Sequence, residues 1–443
     1  MSEPDPQAGL NGVAITRIAA GAAYRTFEVH QRERVGESTA LVKPADFITT
    51  AFAENPYPLL NTLREHYPCY RNWLTNTYWL TRYDDVTSIF ADDANFASRS
   101  KCWCYGIDGL GADLGGTIEV RRSHADYVDA HTRVLADRLA EQLAIATARA
   151  GQADLVAEFT ARLPLELLVG WLDLPEAGIS WFVTRYWAIQ RGRHWAPLAR
   201  QAGRKALDEL IGFFTPIIAA RRTAGGSDLV SVVAQLETPR GPARAEDLVV
   251  TLLEWDNETL HGGLTNLWYL LLTHPAALAQ VRAERRFVKP AYLETMRHST
   301  PILSAQRFAR HEVERFGRLL PQGALVICSA AAANRDPRAF DEPDLFVPNR
   351  KDLCQREPRG QYRADGLASG ITFGIGKPSI HPALPEDRAR SLYAVTRDTV
   401  ITASSALMNA VPRLELADDS VTLRSLYLDG LHTCWSLPVR AGR

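Results

Sequence analysis

An excess of charge of either sign is what this sequence most plainly lacks: 50 Lys and Arg stand against 51 Asp and Glu in 443 residues, a formal net charge of −1. The basic residues are dispersed and no run of them interleaves with aromatics, so the electrostatic footprint of a nucleic-acid binder is missing. No apolar run approaches the roughly 20 residues that a membrane-spanning helix needs. The start, MSEPDPQAGL, is acidic and broken by proline, unlike a signal peptide. A cytoplasmic protein without membrane contact is therefore expected. Cysteine is scarce as well. Of the six, Cys69, Cys102, Cys104, Cys328, Cys354 and Cys434, only Cys102 and Cys104 are close, and a lone C-x-C defines no zinc site, so all read as reduced thiols with no metal. There is no Walker loop, no G-x-G-x-x-G after a strand, no H-E-x-x-H and no G-x-S-x-G, which leaves phosphate, dinucleotide, zinc-protease and hydrolase chemistry without a motif.

What is present is enough apolar material, 46% of the chain, for a large core. No internal repeat is visible, and helix dominates. Residues 56–66 read as a short helix. Tyr70 to Tyr83, with Trp73, Tyr78 and Trp79 around the turn-forming Asn76, reads as a hairpin followed by a helix from Asp84. Apolar residues at helical spacing (Val128, Val134, Leu135, Leu139, Leu143) predict a helix from His124 to about Ala150, and another run covers Phe159 to Leu172. Ala224 to Ala245 and Lys351 to Gly370 read as surface loops, neither long enough to separate domains.

The longest helical candidate runs from about Glu246 to Thr273. Glu254, Asp256, Asn257, Glu258 and Thr259 interrupt its apolar pattern, and Gly262-Gly263 follows, each glycine costing about 1 kcal/mol relative to alanine. This predicts a helix held by tertiary packing and adapted to a cavity; the plainer alternative is a solvated bend.

Beyond it come LTHPAALAQVR, Glu294-Thr295-Met296-Arg297, Arg307, AAANRDPRAFDEPDLF and Phe373-Gly374-Ile375-Gly376. Singly these are weak, since an E-x-x-R on a helix is usually an i,i+3 ion pair. In this order, with NPYPLLNTLREHYP and WLTRYDDVTSIFADDANFASR before them, they resemble the bacterial cytochrome P450 family from about Pro56 to the C-terminus. The resemblance implies a mainly α fold with a small β-rich lobe, the triangular prism of that family, as one domain over 56–443 after an N-terminal extension, 1–55. Within the extension, VAITRIAAGAAYRTFEVHQRER has the periodicity of a helix.

That family holds haem through a cysteine thiolate whose electron donation favours O–O cleavage. Its cysteine lies in F-G-x-G-x-H-x-C-x-G, and this chain has FGIGKPSIHP. Phe373, Gly374 and Gly376 match, but the histidine position falls on Pro378, the ligand position on Ile380 and the last glycine on Pro382. Isoleucine has no lone pair for a metal, and proline fixes φ and removes an N–H. The resemblance places further vestigial haem-site positions at Arg307 and at Trp255, Asp256, Glu258 and Thr259, where A-G-x-[DE]-T keeps its acid–alcohol pair and loses its small residues. Glu294 and Arg297 match a structural charged triad whose third partner falls on Leu345, with Arg350 nearby as a substitute. Between Ser98 and His124 the sequence is short and glycine-rich, which suggests that a haem-binding helix is deleted. A dry cavity of roughly 500 Å³ left by haem would cost about 12 kcal/mol at about 24 cal/mol per Å³. A haem-free variant must collapse or fill the space, and Trp255 in place of a small residue suits such filling.

Taken together, the resemblance implies no cofactor and no haem monooxygenase activity, a chain that is not an enzyme. It is similar to the P450-derived auxiliary proteins that activate glycosyltransferases attaching deoxy- or aminosugars to macrolide and anthracycline aglycones, which implies a hetero-oligomer, a heterotetramer by that likeness. Two alternatives stand beside it: a haem protein with a substitute ligand such as His381, and an aglycone carrier using Glu258 and Thr259 as polar contacts.

Overall fold

The computed structural model describes residues 41–98, 103–105, 117–193, 197–254, 257–354, 368, 370–371, 392–426 and 431–442. The helical reading of the N-terminal extension lies outside them. After α1 (Tyr57–His66), strands β1 (Tyr70–Asn72) and β2 (Thr77–Leu80) form the expected antiparallel hairpin, with Tyr70 opposite Trp79. Asn76 turns it at φ 56°, a left-handed conformation that asparagine tolerates better than most residues. The helix α2 (Tyr83–Phe90) and the short β3 (Phe96–Ala97) follow. One five-stranded sheet is completed from far along the chain by β5 (Ser304–Ala309) and β6 (Leu325–Ser329), in the order β1-β2-β6-β5-β3, and β6 lies parallel to β2 with Val326 against Tyr78.

The helical lobe begins with α3, Thr117–Ala150, one helix of 34 residues. This corrects the expected start at His124, since helix already runs from Thr117; the suggested deletion falls largely on residues outside the described ones. The glycines of GIDGLGADLGG end just before it and masked its beginning in the sequence. Residue 152 onward supplies β4 (Gln152–Asp154), and the predicted run to Leu172 is a π-helical turn at Val156–Thr160 leading into α4 (Arg162–Leu172). Helices α5 (Glu176–Gly192) and α6 (Pro197–Ala224) pack side by side.

The stretch from Ala224 to Ala245 is not simply a loop. It contains α7 (Leu229–Ala234), capped by Asp228, whose carboxylate accepts from the Ser231 N–H at 3.0 Å, and a short hairpin pairing Glu237–Thr238 with Gly241–Pro242. Leu229, Val230 and Val233 are buried, and this burial rather than propensity holds so short a helix.

The predicted long helix is described as α8 (Ala245–Glu254) and α9 (Asn257–Thr273). Nearly every side of α9 is buried, as befits a helix through a core. A Cβ at Gly262 would run into Pro301 and come within 2.8 Å of Leu431; one at Gly263 would come within 3.1 Å of the Met296 sulfur. The glycine pair itself therefore marks close packing against the side chains of neighbouring segments. Helices α10 (Pro275–Ala283) and α11 (Val288–His298) precede the sheet's last strands, and α12 (Leu392–Ala410) packs along α3. The β-rich lobe ends in β7 (Arg413–Leu416), β8 (Arg424–Ser425), β9 (His432–Thr433) and β10 (Pro438–Gly442), with β10 between β7 and β4. The architecture is mainly helical with a small β lobe, as expected. No helix among the described residues is long and apolar enough to cross a membrane.

Candidate functional site

The polar residues at the start of α9 meet the end of α5. Asn257 Nδ2 donates to the Tyr186 hydroxyl at 3.1 Å, and the Glu258 carboxylate lies 3.4 Å from the Arg193 guanidinium, which also donates to Gln190. Both members of the Glu258–Arg193 pair are largely screened from water, with side-chain exposures of 14% and 19%. Burial, and then the nearby Glu258 charge, push the Tyr186 phenol well above its ordinary range, so it stays protonated. One turn further along α9, His261 is buried with its ring edge toward Trp435, 6.2 Å between centroids. Neither ring nitrogen has a hydrogen-bond partner among the described residues, and burial holds its pKa down to about 4, with Glu258 opposing. Thr259 is fully buried beside them.

Arg307 sits in the middle of β5, its guanidinium 4.7 Å above the Phe90 ring and donating to its neighbour's carbonyl, Gln306 O, at 2.8 Å. Burial lowers its pKa, with Cys328 and Asp93 opposing. No carboxylate bridges to it among the described residues, so a partly buried cation is held by a ring and a carbonyl.

Glu294 and Arg297 come together fully buried in α11, in a two-pronged pair at 2.7 and 2.8 Å. Arg297 also donates to the carbonyls of Asn334 (2.8 Å), Pro343 (2.7 Å) and Leu345 (3.1 Å), and Arg350 reaches Glu294 at 3.4 Å. Leu345, at the family's third-partner position, contributes only its carbonyl; its side chain is exposed. This cluster ties α11 to the segment that follows the short helix Ala330–Ala333.

Trp255, Asp256, Phe373, Gly374, Gly376, Pro378 and Ile380 lie outside the described residues. Among those described, Arg307 suits one side of a haem site, since a partly buried guanidinium with no carboxylate bridging to it among the described residues fits an anionic substituent. No thiolate faces that side: Cys328 is buried and its pKa is raised to about 12, chiefly by desolvation. The described donors therefore do not make up a complete haem site. Arg193 and Tyr186 were not foreseen. They lie far from α9 in sequence and carry no local motif, and only the packing of α5 onto α9 shows them.

The cytochrome P450 family model matches residues 258–352, the stretch that spans α9 to Asp352. The pulcherriminic acid synthase of Bacillus subtilis (strain 168) is 26% identical over 76% of this chain and 85% of its own length. The cyclomarin C epoxidase CymV of Salinispora arenicola is 29% identical over 72% of this chain and 83% of its own. Among solved structures, the Bacillus subtilis bacillaene polyketide synthase cytochrome P450 PksS superposes with a TM-score of 0.72 at 22% identity, covering 91% of this chain and all of that one. P450BioI, solved in complex with an acyl carrier protein bearing hexadec-9Z-enoic acid, superposes with a TM-score of 0.70 at 19% identity, covering 89% of this chain and 99% of that one. These likenesses establish the cytochrome P450 fold. They also correct the expectation that the chain is not an enzyme. Relatives matching most of its length bear the names of enzymes, a synthase and an epoxidase, and the fold that houses their chemistry is kept here.

Proposed function

This chain is a homologue of the cytochrome P450 superfamily, and from that premise we propose that it serves an antibiotic pathway as the auxiliary protein of a glycosyltransferase that attaches a deoxy- or aminosugar to a polyketide aglycone. The observation that carries the proposal is FGIGKPSIHP, with Ile380 where the family's pattern has its iron-binding cysteine and prolines at two flanking positions. A chain that departs from the pattern there while keeping the fold around it retains a shaped surface, and a surface is what an auxiliary protein needs. That P450BioI binds an acyl carrier protein supports the reading, because the fold can carry a protein partner. A partner that binds only the native transferase would stabilise it by mass action, about 2.7 kcal/mol at a hundred times the dissociation constant. The role is additional to whatever chemistry the fold itself performs. Co-expression with the pathway's glycosyltransferase tests it: the two should co-purify, and sugar transfer should be faster with this chain than without. Transfer at the same rate, with no complex on size exclusion, would reject the proposal.

A second reading, a haem enzyme with a substitute ligand such as His381, is favoured by the partly buried Arg307 guanidinium and by the enzyme names of the relatives. Haem would supply oxygen activation, with Arg307 as anchor for one carboxylate. Protein purified from haem-supplied cells separates the readings: a stoichiometric Soret band supports this one, and its absence removes it.

A further inference from the structure

The segment from Pro343 to Val347 is fixed by the charged end of α11. Arg297 donates to the Pro343 carbonyl at 2.7 Å and to the Leu345 carbonyl at 3.1 Å, His298 Nε2 donates to the Asp344 carbonyl at 3.0 Å, and the Val347 N–H donates to Glu294 at 2.9 Å. With its backbone so held, the segment turns apolar side chains to water. Leu345 is 52% and Val347 40% exposed, and Phe346 between them is half-buried, its ring 5.1 Å from that of His274 and 5.8 Å from that of His298. Pro275 and Ala276, which follow His274 at the start of α10, are exposed as well. This is an apolar tip on a backbone with little freedom left to lose, so a partner that covers it incurs little ordering cost. Nor does the fold need the Leu345 side chain: its position is that of the family's third triad partner, and Arg350 reaches Glu294 at 3.4 Å instead.

Around the tip the exposed charge is negative. Asp341, Glu342 and Asp344 are exposed; Asp344 meets Arg335 at 3.2 Å and stays largely open to water, and the carboxylates of Asp341 and Glu342 have no partner among the described residues. Glu342 is held at φ 41°, a left-handed conformation that a glutamate rarely adopts. The cations of the same stretch do not balance these carboxylates. Arg335 and Arg350 are nearly covered, and Arg338 is bonded to Glu65 and Asp336, which leaves Lys351 against three acids. An apolar centre inside a polar rim is the make-up of a protein-docking patch. A rim of one sign selects a counterpart of the other.

We infer that the tip formed by Leu345, Phe346 and Val347 is the face on which the glycosyltransferase docks, and that the transferase meets it with an apolar recess flanked by lysine or arginine. The inference rests on the reading of this chain as an auxiliary protein and adds to it the partner's surface chemistry. Leu345 and Val347 enter the recess, and Asp341 and Glu342 face its cations.

The experiment titrates the full chain against the pathway's glycosyltransferase, for the parent and for variants first compared by thermal melt. Leu345→Arg sets a cation against the partner's basic rim and is expected to weaken the complex at least about tenfold, as loss of a central anchor does. Glu342→Lys is expected to weaken it about threefold at low salt and less at high salt, because a rim charge acts through a screened field. Val134→Arg, on α3, alters a side chain more exposed than Leu345 and is expected to leave binding as it was. Should Leu345→Arg melt below the parent, Leu345→Ser, which removes only the apolar contact, decides in its place. If the parent binds and neither Leu345 variant weakens the complex, or if Val134→Arg weakens it as much, the docking face is not this tip, and the inference is refuted while the auxiliary role stands. A parent that binds no transferase removes both. Self-association of the parent on size exclusion, abolished by Leu345→Arg, would make the occupant a second copy of this chain and also refute the inference.

Discussion

Glu294 accepts from Arg297 through both carboxylate oxygens, from Arg350 at 3.4 Å and from the Val347 N–H at 2.9 Å, with no exposure to water. Charges so deep are tolerated only because each is compensated, and removing one partner leaves the others buried and unpaired. Glu294→Gln keeps the shape and deletes the charge, so it should cost about 3–5 kcal/mol in urea unfolding, the usual penalty for breaking such a pair. Arg350→Gln should cost about 1–3 kcal/mol: Glu294 keeps Arg297, but the 3.4 Å bond to Glu294 is lost together with the two-pronged pair to Asp352 at 2.8 and 3.0 Å and the bond to the Asp341 carbonyl. A cost for Glu294→Gln no greater than for Arg350→Gln would mean that the buried Glu294 charge contributes no more than ordinary hydrogen bonds. Glu294 and Arg297 were legible in the sequence because both ends of the bond fall within one helical turn. Glu258 was legible and its partner was not: Arg193 is 65 residues away, and a single arginine after a helix carries no mark of what it faces.

At the scale of the element, the two adjacent glycines of α9 make opposite predictions. Alanine normally gains about 1 kcal/mol over glycine in a helix interior. At Gly262 the added Cβ meets the Pro301 ring and Leu431, which cannot yield without moving the strand at His432, so Gly262→Ala should destabilise by about 1–3 kcal/mol as overpacked cores do. At Gly263 the nearest atoms are the adaptable Met296 sulfur at 3.1 Å and the edge of the buried Tyr292 ring at 3.2 Å, which need give only a few tenths of an ångström, so Gly263→Ala should be neutral or slightly stabilising by thermal melt. Similar losses at both sites would show that the Tyr292 ring does not give. The sequence marked these glycines as unusual but could not say what lay opposite, since Pro301 and Leu431 come from two distant segments. The same limit explains α7. Its residues Leu229 to Ala234 are too few for periodicity to register amid glycine and proline, whereas the hairpin at Asn76 was readable because turn chemistry is local.

At the scale of the whole molecule, four histidines among the described residues bind protons poorly: buried His124, His261 and His432 are held at about 4 and partly buried His298 at about 3, in each case chiefly by desolvation. They are scattered over α3, α9, β9 and α11, so no local motif announces them and only the complete core makes them neutral. Unfolded, each would titrate near 6.5. A folded pKa below the unfolded one means that the neutral form stabilises the native state; this contribution is complete above about pH 6.5 and is lost as pH falls toward the folded values. Each histidine loses up to about 1.4 kcal/mol per pH unit in that window, so four together lose up to about 5–6 kcal/mol per unit, comparable to the stability of many domains. Asp352, where burial is outweighed by the bonds to Arg350 and the backbone, and Glu65, bonded to Arg338, have lowered pKa values, so they lose their contributions below the carboxylate range and act at lower pH. The melting temperature should therefore be flat above pH 7 and fall steeply between about 6 and 4.5, before the carboxylates take part. His261→Leu isolates one of the four. It removes two ring nitrogens that have no partner among the described residues and fills a similar volume with apolar atoms. At pH 7.5 it should leave the melting temperature unchanged or raised, since replacing an unsatisfied buried polar group by an apolar one is rarely costly. Between pH 6 and 4.5 it should flatten the decline by about a quarter, one titrating site in four. A decline that is as steep in this variant as in the parent would place the acid sensitivity in groups other than the buried imidazoles.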